Sequence, residues 1–208
     1  NAFNETVIAE LTEAFYTLGN STPVRAIVLT GNGPAFCAGA DLNWMKKMAG
    51  YSDEENRSDA LTLAKMLHTV WACPKPVIAR IQGDTYAGGM GLVAACDIAV
   101  TAASARRYFI TAERFDAAEA LRLGFVHAVV LLEELDAKVA EIAATLVNNS
   151  PNAVRESKRL VREVAGRVID YSLLTDTADR IASVRASEEG REGVRSFLEK
   201  RPPSWKLQ

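Results

Sequence analysis

The chain has 208 residues, 49% of them hydrophobic, with a formal charge of −2. That much apolar material covers a full core and argues against a disordered protein; the near-neutral balance argues against a dedicated nucleic-acid binder. No apolar run is long enough to span a bilayer and no signal peptide is visible, so the expected setting is cytoplasmic, with no membrane partner.

The elements follow in chain order. Asn4 to Leu18 reads as a helix with Val7, Ile8, Leu11, Phe15 and Leu18 on one face and Gly19 as its stop. Val24 to Thr30 reads as a buried strand, followed by the turn Gly31-Asn32-Gly33-Pro34. Ser52 and Glu55 have capping-box spacing and open a helix to about Trp71, with Leu63, Leu67, Val70 and Trp71 inward. Pro74 and Pro76 end it. A strand runs to Ile81, a small-residue helix spans Gly88 to Cys96, and a strand covers Ile98 to Thr101. Asp116 caps a short helix closed by Gly124, and Phe125 to Val130 is another strand. After Leu132 the pattern is helical throughout: Glu133 to Val147, a helix opened by Ser150-Pro151, Asp170 to Ser187, and Glu192 to Lys200. Strands alternating with helices predict a parallel α/β core over 1–131, and 132–208 forms an all-helical C-terminal region. From Val154 onward there are 12 Lys/Arg against 9 Asp/Glu, which reads as solvated helix faces.

Two glycine-rich turns carry the chemistry. Phe36-Cys37-Ala38-Gly39-Ala40-Asp41-Leu42 follows the first long strand, and Gly83-Asp84-Thr85-Tyr86-Ala87-Gly88-Gly89-Met90-Gly91 follows the second. Each stands between a strand and a helix start. Gly39 permits close backbone approach, and Asp41 suits an N-cap. The N–H groups of Ala40 and Gly88 would then be free to meet on one carbonyl oxygen and stabilise negative charge there. Taken singly, either loop is ordinary turn chemistry. The second lacks the Gly-Lys-Ser/Thr of a P-loop and the acidic partner of a dinucleotide fingerprint.

Other candidates read as structural. Cys37, Cys73 and Cys96 are too far apart for a C-x-x-C pair and read as small filler in a reducing compartment. Asp84 reads as loop capping, Asp97 as structural and Glu113 as a surface turn. His68 and His127 have no Ser or Cys partner beside them, and no ligand-spaced cluster calls for a metal. Trp44, Met45, Met48 and Tyr86 either line an acyl pocket or are plain core.

The two loops, Pro74-Lys-Pro-Val-Ile-Ala79, the run Gly88 to Ile98, Phe115 to Gly124 and Glu192 to Arg201 together resemble the crotonase, or enoyl-CoA hydratase/isomerase, family across nearly the whole chain. Asp41 to Met45 and Gly91 are most similar to the hydratases of methylglutaconyl-CoA and related branched acyl-CoAs. The resemblance implies a parallel β/α spiral core and a C-terminal helical oligomerisation region that builds trimers, commonly paired into hexamers. It implies the oxyanion hole at Ala40 and Gly88, and contacts to the CoA ester from Ala38, Ala40, Asp41, Leu42 and Gly88. Phe197 and Lys200 match C-terminal positions that touch CoA, often on a neighbouring subunit. No cofactor is implied beyond coenzyme A as part of the substrate. The implied reaction is hydration of an enoyl-CoA in fatty-acid or branched-chain catabolism; double-bond isomerisation and inert CoA-ester binding are the alternatives.

The chain departs from the family pattern at two carboxylates. The place three residues after the second donor is Gly91. The other, on a later loop, has no counterpart: Thr101 to Ala105 runs straight into Arg106, where relatives carry roughly 25–30 further residues, with the usual boundary uncertainty. The general acid/base glutamate is therefore expected in a segment absent between Ala105 and Arg106. Either the protein lacks that segment, or the sequence lists only ordered residues and leaves a mobile internal loop unrecorded. The second is favoured, because an internal deletion would leave core strands uncovered. Relatives also begin with a strand pair ahead of Asn1.

Overall fold

A computed structural model of the chain describes residues 1–102, 107–108, 114–168 and 170–206. The Ala105–Arg106 junction and Glu113 lie outside the described residues.

The short strand β1 (Ala2–Phe3) leads into α1 (Glu5–Asn20), whose N-cap is Asn4. Then come β2 (Ile27–Thr30), β3 (Ala35–Cys37), β4 (Gly39–Ala40), α2 (Leu42–Met48) and α3 (Asp53–Ala72). β5 (Val77–Ile81), β6 (Asp84–Thr85), α4 (Gly88–Ala95) and β7 (Ile98–Ala102) form the middle of the chain. β8 (Arg107–Tyr108), β9 (Arg114–Phe115), α5 (Ala117–Arg122) and β10 (Ala128–Val130) follow. A 3-10 turn at Leu132–Glu134 opens α6 (Leu135–Asn148), and α7 (Pro151–Val164), α8 (Tyr171–Ala186) and α9 (Glu188–Leu198) complete it.

The main sheet has the order β10-β7-β5-β2 and is parallel throughout, with Ile27 opposite Val77 and Ile78 opposite Ile98. β5 lies inside it with both faces covered. Val77, Ile78, Ala79 and Ile81 are all fully buried, and only Arg80 interrupts the apolar run. On one face α1, α3 and α4 bury Ile8, Phe15, Met66, Val70 and Val93. On the other, Leu135 and Val139 of α6 close over Ile78, Val100 and Ala102, so this second core crosses position 131/132. A second sheet, β3-β6-β8-β9, carries the glycine-rich loops, and β1 pairs with β4 beside it.

Several sequence expectations need correction. Gly19 does not stop α1; it is buried inside the helix, where an added Cβ would lie 3.2 Å from Pro74. Small size is what that site requires. β2 is not a buried strand: it is the edge of its sheet among the described residues, and Val28 is exposed. Trp71 does not face inward; its exposed ring lies beneath the Arg162 guanidinium and beside His68. Met66 takes the core place instead. Ser187 is the N-cap of α9 and accepts from the Gly190 N–H, so that helix starts at Glu188, before Glu192.

The C-terminal tail is tied back through Arg201, which pairs with both Glu192 and Glu199. Glu192 accepts both Arg201 Nη1 and Nη2 and the Ser204 N–H, while Trp205 lies against Gly193. The Arg201 guanidinium holds the Glu192 carboxyl down at about 2, against an ordinary 4.5. A depressed folded pKa gives stability that is present above the unfolded value and lost as pH falls through the folded one. Trp205 fluorescence should therefore report loosening of the tail as pH drops from about 4.5 toward 2. Glu192→Gln should flatten that transition; a Gln variant with the same acid transition would show that another group drives it.

Candidate active site

The two glycine-rich loops lie side by side, tied by the Tyr86 N–H donating to the Cys37 carbonyl at 2.9 Å. In the first loop Gly39 has φ +88, a conformation that favours glycine, and its N–H points at Cys37 Sγ. The Ala38 N–H donates to the Asn1 carbonyl and the Asp41 N–H to the Phe3 carbonyl, both at 2.8 Å. In a parallel ladder alternate amides face opposite sides. Ala38 and Asp41 both donate to the β1 segment although they are three residues apart, so that alternation is broken at Gly39. The Asp41 carboxylate accepts from the Asn43 and Trp44 N–H groups and caps α2, as its spacing predicts.

The second loop closes by the Gly89 N–H donating to the Tyr86 carbonyl at 2.9 Å. Ala87 takes φ 45, ψ −118, the first central place of a II′ turn that normally needs glycine. Met90 N–H then bonds the Ala87 carbonyl at 3.0 Å. Gly88 begins α4, and its amide is one of the donors a helix start leaves over. Among the described residues it has no acceptor. A Cβ on Gly88 would lie 3.3 Å from the Phe3 ring, and Phe3 is the β1 partner of Ala40. A Cβ on Gly39 would lie 3.6 Å and 3.7 Å from those of Tyr86 and Ala87. Ala40 and Gly88 thus both border Phe3, on adjoining stretches of backbone.

Ala87 holds this turn at a cost of about 1–3 kcal/mol for a non-glycine residue at such angles. Ala87→Gly is therefore expected to raise stability by about 1 kcal/mol, net of the extra freedom glycine gives the unfolded chain. A denaturation midpoint at or below that of the parent protein would rule this out.

The other candidate residues are distributed as follows. Leu42 and Ala38 are exposed at the first loop, and Asp41 is half-buried beside them. Gly91 turns its missing side chain toward Leu67 of α3, 3.3 Å from an added Cβ. Asp84 accepts the Tyr86 hydroxyl at 2.8 Å. Asp97 accepts the Val77 N–H at 2.7 Å and pairs with Lys158 of α7, a structural tie between sheet and helix. His127 Nδ1 accepts the Ala99 N–H at 3.1 Å. Phe197 is exposed on α9 with Lys200 just beyond, and no hydrogen bond or ion pair joins either to the loops among the described residues. Of the pocket candidates, Trp44 is buried core, Met45 is exposed, and Met48 and Tyr86 are half-buried.

All three cysteines are free thiols. Burial pushes Cys37 up and Cys96 up to about 12, with the Asp97 charge adding to the latter, so neither is poised as a nucleophile. Among the described residues no group of three His, Cys, Asp or Glu could hold a metal, and no helix is long and apolar enough to cross a membrane. An apolar cavity of about 200 Å³ beside Phe3 and Leu92 is lined by neither Ala40 nor Gly88.

Comparison with known proteins decides the family. The sequence matches Enoyl-CoA hydratase/isomerase over residues 1–111 and again over 101–208. The chain belongs to the enoyl-CoA hydratase/isomerase family. An enoyl-CoA hydratase structure from Shewanella pealeana superposes with a TM-score of 0.94 at 34% identity, covering 98% of this chain and 87% of that one. One from Mycobacterium smegmatis gives 0.91 at 31% identity, over 98% and 90%. The crotonyl-CoA hydratase of Syntrophomonas wolfei is 28% identical over 97% of this chain and 88% of its own length. The crotonase fold expected from the sequence, α/β with parallel sheets and a helical C-terminal part, is the one observed.

Two contributors in this family member were not legible in the sequence. Phe3 looks like an ordinary core aromatic, yet it pairs with the first loop and touches the second. The strain at Ala87 had a signal, an alanine at the head of a glycine run, but a run of small residues does not say which one must turn left-handed.

Proposed function

We propose that the protein is an enoyl-CoA hydratase, a lyase that adds water across the double bond of an α,β-unsaturated acyl-CoA thioester. The observation that carries this is the placement of Ala40 and Gly88 side by side against Phe3, on loops held together by the Tyr86–Cys37 hydrogen bond. As water adds at the β-carbon, charge builds on the thioester oxygen, and two preorganised donors lower that barrier; losing one typically costs about 3 kcal/mol. Ala38, Asp41 and Leu42 would border the thioester and its CoA arm. The relatives named crotonyl-CoA hydratase and short-chain-enoyl-CoA hydratase support the reaction class.

A general acid/base must still deliver water and a proton. With Gly91 facing Leu67, that place supplies none. We place the missing glutamate in the segment absent between Ala105 and Arg106. Two findings support the gap: the family match breaks into two pieces that overlap at 101–111, and the Syntrophomonas alignment runs 232 positions where 97% of a 208-residue chain supplies only about 202. Gly91 also favours a second reading, isomerisation, in which a single base moves a proton between carbons. The exposed Tyr171, Leu174, Val194, Phe197 and Leu198 on α8 and α9 support a homotrimer or hexamer, with Phe197 and Lys200 reaching a neighbour's CoA.

Purified protein should hydrate crotonyl-CoA, seen as loss of enoyl absorbance, and 3-methylglutaconyl-CoA if the branched, carboxylated specificity holds. Conversion of 3-enoyl-CoA instead would establish the isomerase; no turnover of any of the three would refute both and leave an inert CoA-ester binder.

A further inference from the structure

We propose that Asp59 and Trp44 are positioning residues that hold the first donor loop at its working distance. The proposal rests on the reading of Ala40 as an oxyanion donor.

α2 follows Ala40 directly and is only seven residues long, too short to hold its own orientation. Its single buried side chain is Trp44, which sits in the main core. The Trp44 indole Nε1 donates to Asp59 Oδ1 at 3.3 Å, across the Gly50–Ser52 turn on the long helix α3. The Trp44 main-chain N–H is in turn capped by Asp41, whose own N–H is bonded to Phe3. A continuous run of contacts thus leads from Asp59 through Trp44 and Asp41 to the amide beside Ala40. One turn further along α2, Lys47 pairs with Glu5 of α1. That pair is exposed and adds little restraint. The indole bond is half-buried and directional, so it is the stronger restraint on the rotation of α2. Rotation of α2 carries Asp41 with it and re-aims the Ala40 N–H. Catalytic donors tolerate displacements of only a fraction of an ångström.

The full-length protein is assayed with crotonyl-CoA as Asp59→Ala, Asp59→Asn and Trp44→Phe. Alanine removes the acceptor, asparagine keeps an oxygen there, and phenylalanine keeps the ring but not the donor. Asp59→Ala and Trp44→Phe should each lose about tenfold in kcat with KM changed less than about twofold, and Asp59→Asn should stay near the parent. Amide hydrogen exchange at residues 43 and 44 should quicken in Asp59→Ala while that of α3 stays unchanged. Parent-like kcat or unchanged exchange in Asp59→Ala would overturn the proposal. So would faster exchange throughout the protein, which marks a merely structural role. If the parent protein turns over no enoyl-CoA, the hydratase reading fails, and exchange at residues 43 and 44 alone decides whether the tether exists.

Discussion

Replacing the Gly88 amide by an ester is expected to lower kcat by about 10²–10³-fold while leaving the fold intact. The substitution removes one N–H and adds no side chain. That matters here, because even a methyl at Gly88 would press on the Phe3 ring at 3.3 Å. The amide is the first of α4 and bonds nothing within the described residues, so its loss should cost little stability. KM should change far less than kcat, since the thioester oxygen bears more charge in the transition state than in the bound substrate. A thermal midpoint close to the parent's together with unchanged kcat would remove Gly88 from the chemistry.

Gly83→Ala should be the most damaging single methyl in the loop region. Its Cβ would fall 1.8 Å from the Pro34 carbonyl oxygen and 2.9 Å from the carbonyl carbon. Backbone cannot swing aside as a side chain does. Gly83 immediately precedes β6, whose Asp84 pairs with Ala35 of β3, so relief requires prying these strands apart. Overpacking against flexible side chains costs about 1–3 kcal/mol; against backbone we expect about 3 kcal/mol or more, a large share of a typical stability of about 5–15 kcal/mol. Urea unfolding measures this directly. A midpoint within about 0.5 kcal/mol of the parent's, at unchanged slope, would mean that the two strands separate more easily than the packing implies. At Gly89 an added Cβ would meet Cys37 Cβ at 2.5 Å, an atom fixed to the β3 backbone that no rotamer change moves.

The local signals were strong wherever a residue type has one dominant use. Ser52 and Glu55 form both halves of the capping box, Asp41, Asp116 and Asp170 cap their helices, and Ser150-Pro151 starts α7. The two glycine-rich loops were visible for the same reason. Failures came where burial depends on a distant neighbour. Trp71 and Val28 have core character, but at the end of α3 and the edge of a sheet the described residues cover them only in part. Gly19 carries the ordinary mark of a helix end, and only the approach of Pro74 explains why it lies inside one.

By itself, then, the order of amino acids determined the alternation of strand and helix, the caps, and the two turns able to present backbone donors. These depend on contacts within a few residues, where side-chain size and hydrogen-bonding capacity set the outcome. Only the tertiary structure decided that the loops adjoin, that Phe3 borders both Ala40 and Gly88, that Ala87 takes a left-handed turn conformation, and that Asp59 reaches Trp44. Each of those joins segments far apart along the chain or depends on how surrounding backbone is packed, and short-range propensity carries no information about either.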